Sequence, residues 1–410
     1  MLEFGFIVRL FAAGSAIVVI AWGAKAAAFY GKSDPAENAV LREPELAGEL
    51  APILEPIRRK HKLPALAAAI IVDGEVRAIG ATGARESGGT SSVTIDDLFH
   101  IGSCTKAMTA TMLATLVEEG RLSWSTTVRE TFPDLDMDEG WGSVTLEALL
   151  HHRGGAPEHL LEGGLWRRLW ECNDAARECR MKIVRAVTAG PPGEAGKYVY
   201  SNAGYSIAGA MAEEATGQSW EALMRERVFE PLGMQKVGFG APGSAEEVDE
   251  PRGHTAGGVT MEPGPGADNP QAIGPAGTVH GSLRDWARFV KVHLGVDSGK
   301  GDEEKTLVSA ETLRRMHSPA EGPGEPYAMG WIVTERAWAR GEEESSRGIA
   351  LTHGGSNTFW YAVAWLAPER DLAVLVATNQ GGGRAARACD EATGALLTRY
   401  VLDPQGAETQ

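Results

Sequence analysis

Cysteine is scarce, with four residues in a chain of 410. That is too few to staple a fold of this length, so a buried apolar core has to hold it. Cys172 and Cys179 lie seven apart and can pair in an oxidising compartment, whereas Cys104 and Cys389 read as small buried apolar residues. Positive charge is also short: 39 lysines and arginines face 55 acidic residues, a formal net charge of −16. Phosphate backbones repel such a surface, which excludes nucleic acid as a partner. The chain has no G-x-S-x-G elbow, no H-E-x-x-H zinc helix, no glycine-rich phosphate cradle after a strand and no repeat of fixed period. His151, His152 and His159 form the densest histidine group and read as a helix end near its negative pole, not as metal ligands. No metal and no cofactor are expected.

Long apolar runs are missing too. Leu10 to Ala24 is uncharged and mostly apolar, but at 15 residues it falls short of the roughly 20 that span a bilayer. It is flanked by Arg9 and Lys25 and runs into Ala24-Lys25-Ala26-Ala27-Ala28, the layout of a secretory segment with an A-x-A cleavage site. Residues 1–31 are therefore expected to be a signal peptide or an N-terminal membrane anchor. The rest is expected to be exported, periplasmic or extracellular, with any membrane association made through that segment.

What remains is ordinary globular sequence, 43% hydrophobic and 23% charged. A helix is predicted over 47–62, then the run Leu66 to Val72, an Asp73-Gly74 turn and the run Glu75 to Thr82, which together read as a hairpin. Helical patterns follow over 106–119, 145–152, 203–215 and 282–294, stopped by Gly120, Gly154 and Gly217 or opened by Thr145 and Ser282. Gly238 to Gly277 is too rich in glycine and proline for regular elements, and Gly295 to Lys305 is a polar loop. Strands return over 328–334, 359–366 and 372–378 before a closing helix over 384–401. The fold class is thus α+β: an antiparallel sheet built from both chain ends and flanked by helices, with an inserted, mainly α-helical subdomain. One domain over 45–403 is expected, its α/β part about 45–92 and 306–403 and its helical part about 93–305. The cleft between the two parts is the natural site.

Three short strings carry the chemistry. In Ser103-Cys104-Thr105-Lys106 a hydroxyl precedes a lysine by one helical turn; a serine needs a base to become a nucleophile, and a lysine serves only when its pKa is lowered. In Tyr200-Ser201-Asn202 a phenol able to relay a proton stands beside a carboxamide that can donate to substrate or hold Lys106. His353-Gly354-Gly355 follows an apolar strand-like run; the glycines would let substrate pass close to the backbone, and the amide of Ser356 with that of Ser103 would form an oxyanion hole.

This ordered set resembles the penicillin-recognising serine hydrolases: class C type β-lactamases, DD-peptidases and β-lactamase-like esterases. Phe99-His100-Ile101-Gly102-Ser103, the run from Val144 to His152, and Gly274-Pro275-Ala276-Gly277-Thr278 resemble that family's connecting segments, and the likeness spans about residues 50 to 400. It implies a β-lactamase/transpeptidase-like fold and an acyl-enzyme on Ser103. Lys106 and Tyr200 would then be base and proton relay, Asn202 a substrate-positioning group, and His353 the holder of the third-motif position. A histidine there, in place of the Lys-Thr-Gly of true β-lactamases, is only partly charged near neutral pH and would hold a substrate carboxylate less firmly. The expectation is an esterase or a D-amino-acid or DD-peptidase acting on a small-molecule or peptide substrate, with β-lactam hydrolysis disfavoured. The alternative is a non-catalytic, penicillin-binding-like envelope sensor.

Overall fold

A computed structural model describes residues 50–294 and 307–402. The expected leader at 1–31 and the polar loop at 295–305 lie outside the described residues. Among the described residues, no helix is long and apolar enough to cross a membrane.

The chain opens with helix α1 (Ala51–Lys60) and the hairpin β1 (Ala65–Val72) to β2 (Glu75–Gly83). Asp73 and Gly74 both take positive φ, 53° and 74°, the conformation of a two-residue turn whose twist matches its strands. Four more strands come from the other end of the chain: β6 (Ile332–Glu335), β7 (Ile349–Gly355), β8 (Tyr361–Ala367) and β9 (Leu372–Thr378). They close an antiparallel six-stranded sheet in the order β2-β1-β9-β8-β7-β6. Both termini therefore build the sheet and the helices fall between them, as the sequence pattern implies.

Both faces of the sheet are covered, which is why β1 is apolar throughout and does not alternate with polar residues. Leu66, Ala68 and Ile70 pack into one layer with Leu54 and Ile57 of α1 and with Cys389, Ala392 and Leu396 of the closing helix. Ala67, Ala69 and Ile71 face the opposite core, which runs on into the helical part. Helices over 105–118, 146–150, 202–216 and 283–291 match the sequence reading within a few residues. Strand β6 starts at Ile332, later than expected, because Ala328 to Trp331 is a tight turn: the Ala328 amide donates to Trp331 O at 2.7 Å, and Gly330 (φ +89°) packs directly on the Cα of Ala107.

A second, small sheet was not anticipated: β3 (Phe99–His100), β4 (Val237–Phe239) and β5 (Val279–Gly281), in the order β3-β5-β4. The stretch from 238 to 277 is otherwise irregular, as expected, down to a short helical turn at Gly274–Gly277. Cys172 and Cys179 are joined as a disulfide, while Cys104 and Cys389 are free and buried.

Candidate active site

Strand β3 leads into a single 3-10 turn, Gly102–Cys104, and then into helix α2 (Thr105–Glu118), so Ser103 sits at a helix N-terminus. Almost every residue of α2 is buried, polar ones included. Thr109 and Thr111 give their hydroxyls to the carbonyls of Pro275 and Ala107, so they need no water. Lys106 has no such choice: it is carried inside with its helix and is 0% exposed.

Its nitrogen meets three oxygens: Ser103 Oγ at 3.1 Å, Asn202 Oδ1 at 2.8 Å and the Ala276 carbonyl at 2.7 Å. Burial pulls the Lys106 pKa well below its ordinary value. The rings of Tyr200 and Tyr205, 4.8 and 5.5 Å away, favour the cation, but such contacts contribute about 2 kcal/mol at most when desolvated. Taking a charge out of water costs several kcal/mol, so desolvation wins and the neutral amine is favoured. A neutral amine has two N–H groups and one lone pair. The atoms turned toward it by the other two partners, Asn202 Oδ1 and the Ala276 carbonyl oxygen, are acceptors, which leaves the lone pair for the Ser103 hydroxyl. After proton transfer the same three oxygens satisfy three N–H groups, so no heavy atom has to move.

Helix α5 (Asn202–Thr216), counting α3 (Leu146–Leu150) and α4 (Ala176–Thr188) before it, brings up the second string. Ser201 caps it, accepting from the Gly204 amide at 3.1 Å while giving its own proton to Pro157 O. The cap fixes the phenol on one side and the carboxamide on the other. The phenolic oxygen of Tyr200 is shielded from solvent and makes no hydrogen bond of good geometry. Burial pushes its pKa well up, with the nearby Ser103 hydroxyl acting in the opposite direction. Asn202 spends its oxygen on Lys106; of the two roles open to it, holding the lysine is the one seen.

The third string lies on β7, as expected, with its end against the nucleophile turn. A Cβ on Gly355 would overlap the Ile101 carbonyl and stand 2.7 Å from the Ser103 amide nitrogen; one on Gly102 (φ +51°) would overlap the Ser356 amide. These glycines let the amides of Ser103 and Ser356 lie side by side. Among the described residues neither amide donates to a backbone carbonyl, which leaves both free for an incoming oxyanion. The Ser356 hydroxyl is spent on Trp360 O at 2.6 Å.

Two sequence expectations need correction here. His353 is not a cation facing substrate: it is 0% exposed, its Nδ1 donates to Gly354 O at 2.7 Å, and its Nε2 accepts from the Tyr327 hydroxyl at 3.0 Å. With both ring nitrogens engaged, burial first and the neighbouring Lys106 second push its pKa down to about 3. The space beside the glycines is not left for substrate either. Gly354 makes room for the Tyr361 hydroxyl, 2.8 Å from where its Cβ would be, and Gly355 makes room for the turn before Ser103.

Several participants escaped the sequence reading. The Ala276 carbonyl and the Tyr327 phenol carry no motif that marks them. His152 was set aside with its neighbours, yet its buried ring lies tilted against those of Tyr200 and Tyr327, with centroids 4.3 and 4.5 Å away, and accepts from the Ser201 amide. Its φ is +58°, a left-handed backbone conformation uncommon for residues other than glycine. His159 lies apart, exposed beside Glu158. Cys104 is no rival nucleophile: it is buried, its thiol is bonded to His353 O at 3.2 Å, and burial raises its pKa.

A family model described as Beta-lactamase matches residues 50–398. Penicillin-binding protein 4 of Amycolatopsis lactamdurans is 28% identical over 340 residues, covering 80% of this chain and 84% of the relative. The unguisins hydrolase ungD' of Aspergillus campestris is 26% identical over 303 residues; the match covers 70% of this chain but only 54% of that longer protein. Among solved structures, a beta-lactamase from Sulfitobacter sp. EE-36 superposes with a TM-score of 0.68 at 22% identity, over 87% of this chain and 98% of that one.

Proposed function

The chain belongs to the beta-lactamase family of serine hydrolases, and from that premise we propose that it hydrolyses esters or amides through an acyl-enzyme on Ser103. The observation that carries the proposal is the fully buried Lys106 amine, 3.1 Å from the Ser103 hydroxyl, with its other two partners fixed as acceptors.

In this mechanism Lys106 takes the proton of Ser103 as its oxygen attacks the substrate carbonyl. The amides of Ser103 and Ser356 receive the developing oxyanion. Tyr200, whose phenol is neutral and free of competing bonds, delivers a proton to the leaving group. Water then enters, the same groups work in reverse, and the acid leaves.

The substrate class follows from charge. A neutral, enclosed His353 supplies no cation for a substrate carboxylate, so neutral esters and amides are favoured over the anionic β-lactams. Export is also part of the proposal, supported by the Leu10 to Ala24 segment and by a disulfide that persists only in an oxidising compartment. The test is labelling with a fluorophosphonate, followed by peptide mapping. An adduct on Ser103 is the expected result; folded protein that takes no label would instead be a binding or sensor protein.

A further inference from the structure

We propose that Asp268 is a positioning residue that holds the two oxyanion amides in register, acting through His100 on one side and Asn357 on the other. The inference rests on the acyl-enzyme reading, since only there do the amides of Ser103 and Ser356 meet an oxyanion.

On the first side, His100 lies on β3 and is 0% exposed. Its Nδ1 accepts the Gly102 amide at 3.0 Å. A ring nitrogen that accepts carries no proton, so in the neutral ring the proton is on Nε2, which lies 2.7 Å from Asp268 Oδ1. That contact is electrostatic more than a well-aligned hydrogen bond. It fixes the ring, and the ring fixes the amide of Gly102. The next amide along is that of Ser103.

On the second side, the Asn357 carboxamide donates to the same Asp268 Oδ1 at 3.0 Å and to the Ala267 carbonyl at 3.1 Å. Its own oxygen accepts the Phe359 amide at 3.2 Å. Asn357 directly follows Ser356. One carboxylate oxygen, on a residue only 5% exposed, is thus shared by groups adjacent to each oxyanion amide.

A carboxylate suits this place because it offers acceptors alone to two converging donors. An amide in its stead would keep one acceptor oxygen there but lose the negative charge on which the His100 contact depends. The segment carrying Asp268 also reaches the base: Asn269 donates to Gly277 O at 2.8 Å, within the helical turn whose Ala276 carbonyl holds Lys106. Base and oxyanion amides are therefore held from one irregular stretch of chain.

The experiment uses the full chain and its variants Asp268→Asn, His100→Asn and His100→Ala. It reads steady-state hydrolysis of a p-nitrophenyl ester, inhibition by phenylboronic acid, whose tetrahedral adduct places an oxyanion between the two amides, and thermal unfolding. Asp268→Asn should lower kcat about 100-fold with KM within about threefold, because displaced oxyanion donors cost that much. Boronate affinity should fall by the same factor. His100→Asn retains an acceptor for Gly102 and should outperform His100→Ala. Wild-type kcat and boronate affinity in Asp268→Asn, or a loss confined to KM, would overturn the proposal. Should Asp268→Asn not fold, equal activity of the two His100 variants does so. If the wild type itself takes no fluorophosphonate on Ser103, the acyl-enzyme reading fails first and this inference falls with it.

Discussion

Lys106 Nζ stands 3.1 Å from Ser103 Oγ on a lysine with no solvent-exposed surface. The pair is held by three independent parts of the chain: the turn and helix that carry the two residues, the Asn202 carboxamide and the Ala276 carbonyl. Removing either member should abolish turnover without unfolding the protein. Ser103→Ala and Lys106→Met are each expected to lose at least about 1000-fold in kcat, as paired nucleophile and base knockouts do. Lys106→Arg should not rescue, because a guanidinium cannot give up its proton. Ester hydrolysis, with circular dichroism as the folding control, reads all three; a lysine variant keeping a tenth of wild-type kcat would hand the base role to Tyr200.

Burial of Lys106 also sets a pH dependence. Its pKa in the folded protein lies well below the ordinary value of about 10.4. Between those two values the unfolded chain holds a proton that the folded one has lost, so stability should rise with pH across that window. Below the folded pKa both states are protonated and the slope vanishes. Urea denaturation at a series of pH values should show the rise in the wild type and less of it in Lys106→Met. Activity should follow the same group: kcat/KM climbs with pH as Lys106 loses its proton, then levels.

His353 gives a check of the same sign in a more acidic window. Its pKa falls from about 6.5 to about 3 on folding, so it costs nothing above pH 6.5. As pH drops from 6.5 toward 3, the unfolded state takes up a proton that the folded state refuses, and stability should decline; His353→Gln should flatten that part of the curve. A second outcome bears on substrate choice. With His353 neutral throughout the range from pH 6 to 8, anionic and neutral esters should show the same pH profile for KM. A selective weakening of the anionic ester above pH 7 would mean that the imidazole is a substrate-facing cation after all.

Legibility in the sequence followed period and spacing. The β1–β2 hairpin announced itself through Asp73-Gly74, and the helices at 105–118 and 202–216 through their glycine stops, because these signals are local. Strand β3 is two residues long and β4 and β5 three each, too short to show any period, so the small sheet was invisible. At the site, Ser103 and Lys106 share a face as their spacing implied, whereas the approach of Tyr200 and Asn202 to them was implied by the family resemblance and not by spacing. The charge of His353 was misjudged because it depends on what covers it: Tyr327 and Gly354 O take its two nitrogens, and neither contact leaves a mark in the string His353-Gly354-Gly355. The Ala276 carbonyl was missed for a similar reason, since a backbone acceptor has no residue type.

Away from the site, Arg180 of α4 is 0% exposed and grips Glu213 of α5, which is 1% exposed, through two bonds of 2.7 and 3.1 Å. Glu221 adds a second, partly exposed carboxylate, and Arg180 also donates to the Gln271 carbonyl at 3.3 Å. Truncating Glu213 would leave a buried guanidinium underpaired, and breaking such a pair typically costs about 3–5 kcal/mol. Glu213→Ala should therefore lower the urea midpoint sharply, whereas Glu221→Ala should have a smaller effect. Equal, small changes in both would mean that water reaches Arg180.

Thiol chemistry separates the four cysteines. Cys172 and Cys179 are bonded to each other, and Cys104 and Cys389 are buried thiols whose pKa values burial pushes up. The folded protein should accordingly react hardly at all with a thiol reagent, because the thiolate is the reactive form and neither free cysteine reaches solvent. Unfolding in guanidinium without reductant should release two thiols, and reduction should bring the number to four. Protein produced in an oxidising compartment is the material to use, since cytosolic expression would leave the bridge open. Four thiols in such protein before reduction would remove the disulfide. The support it lends to an exported enzyme would go with it.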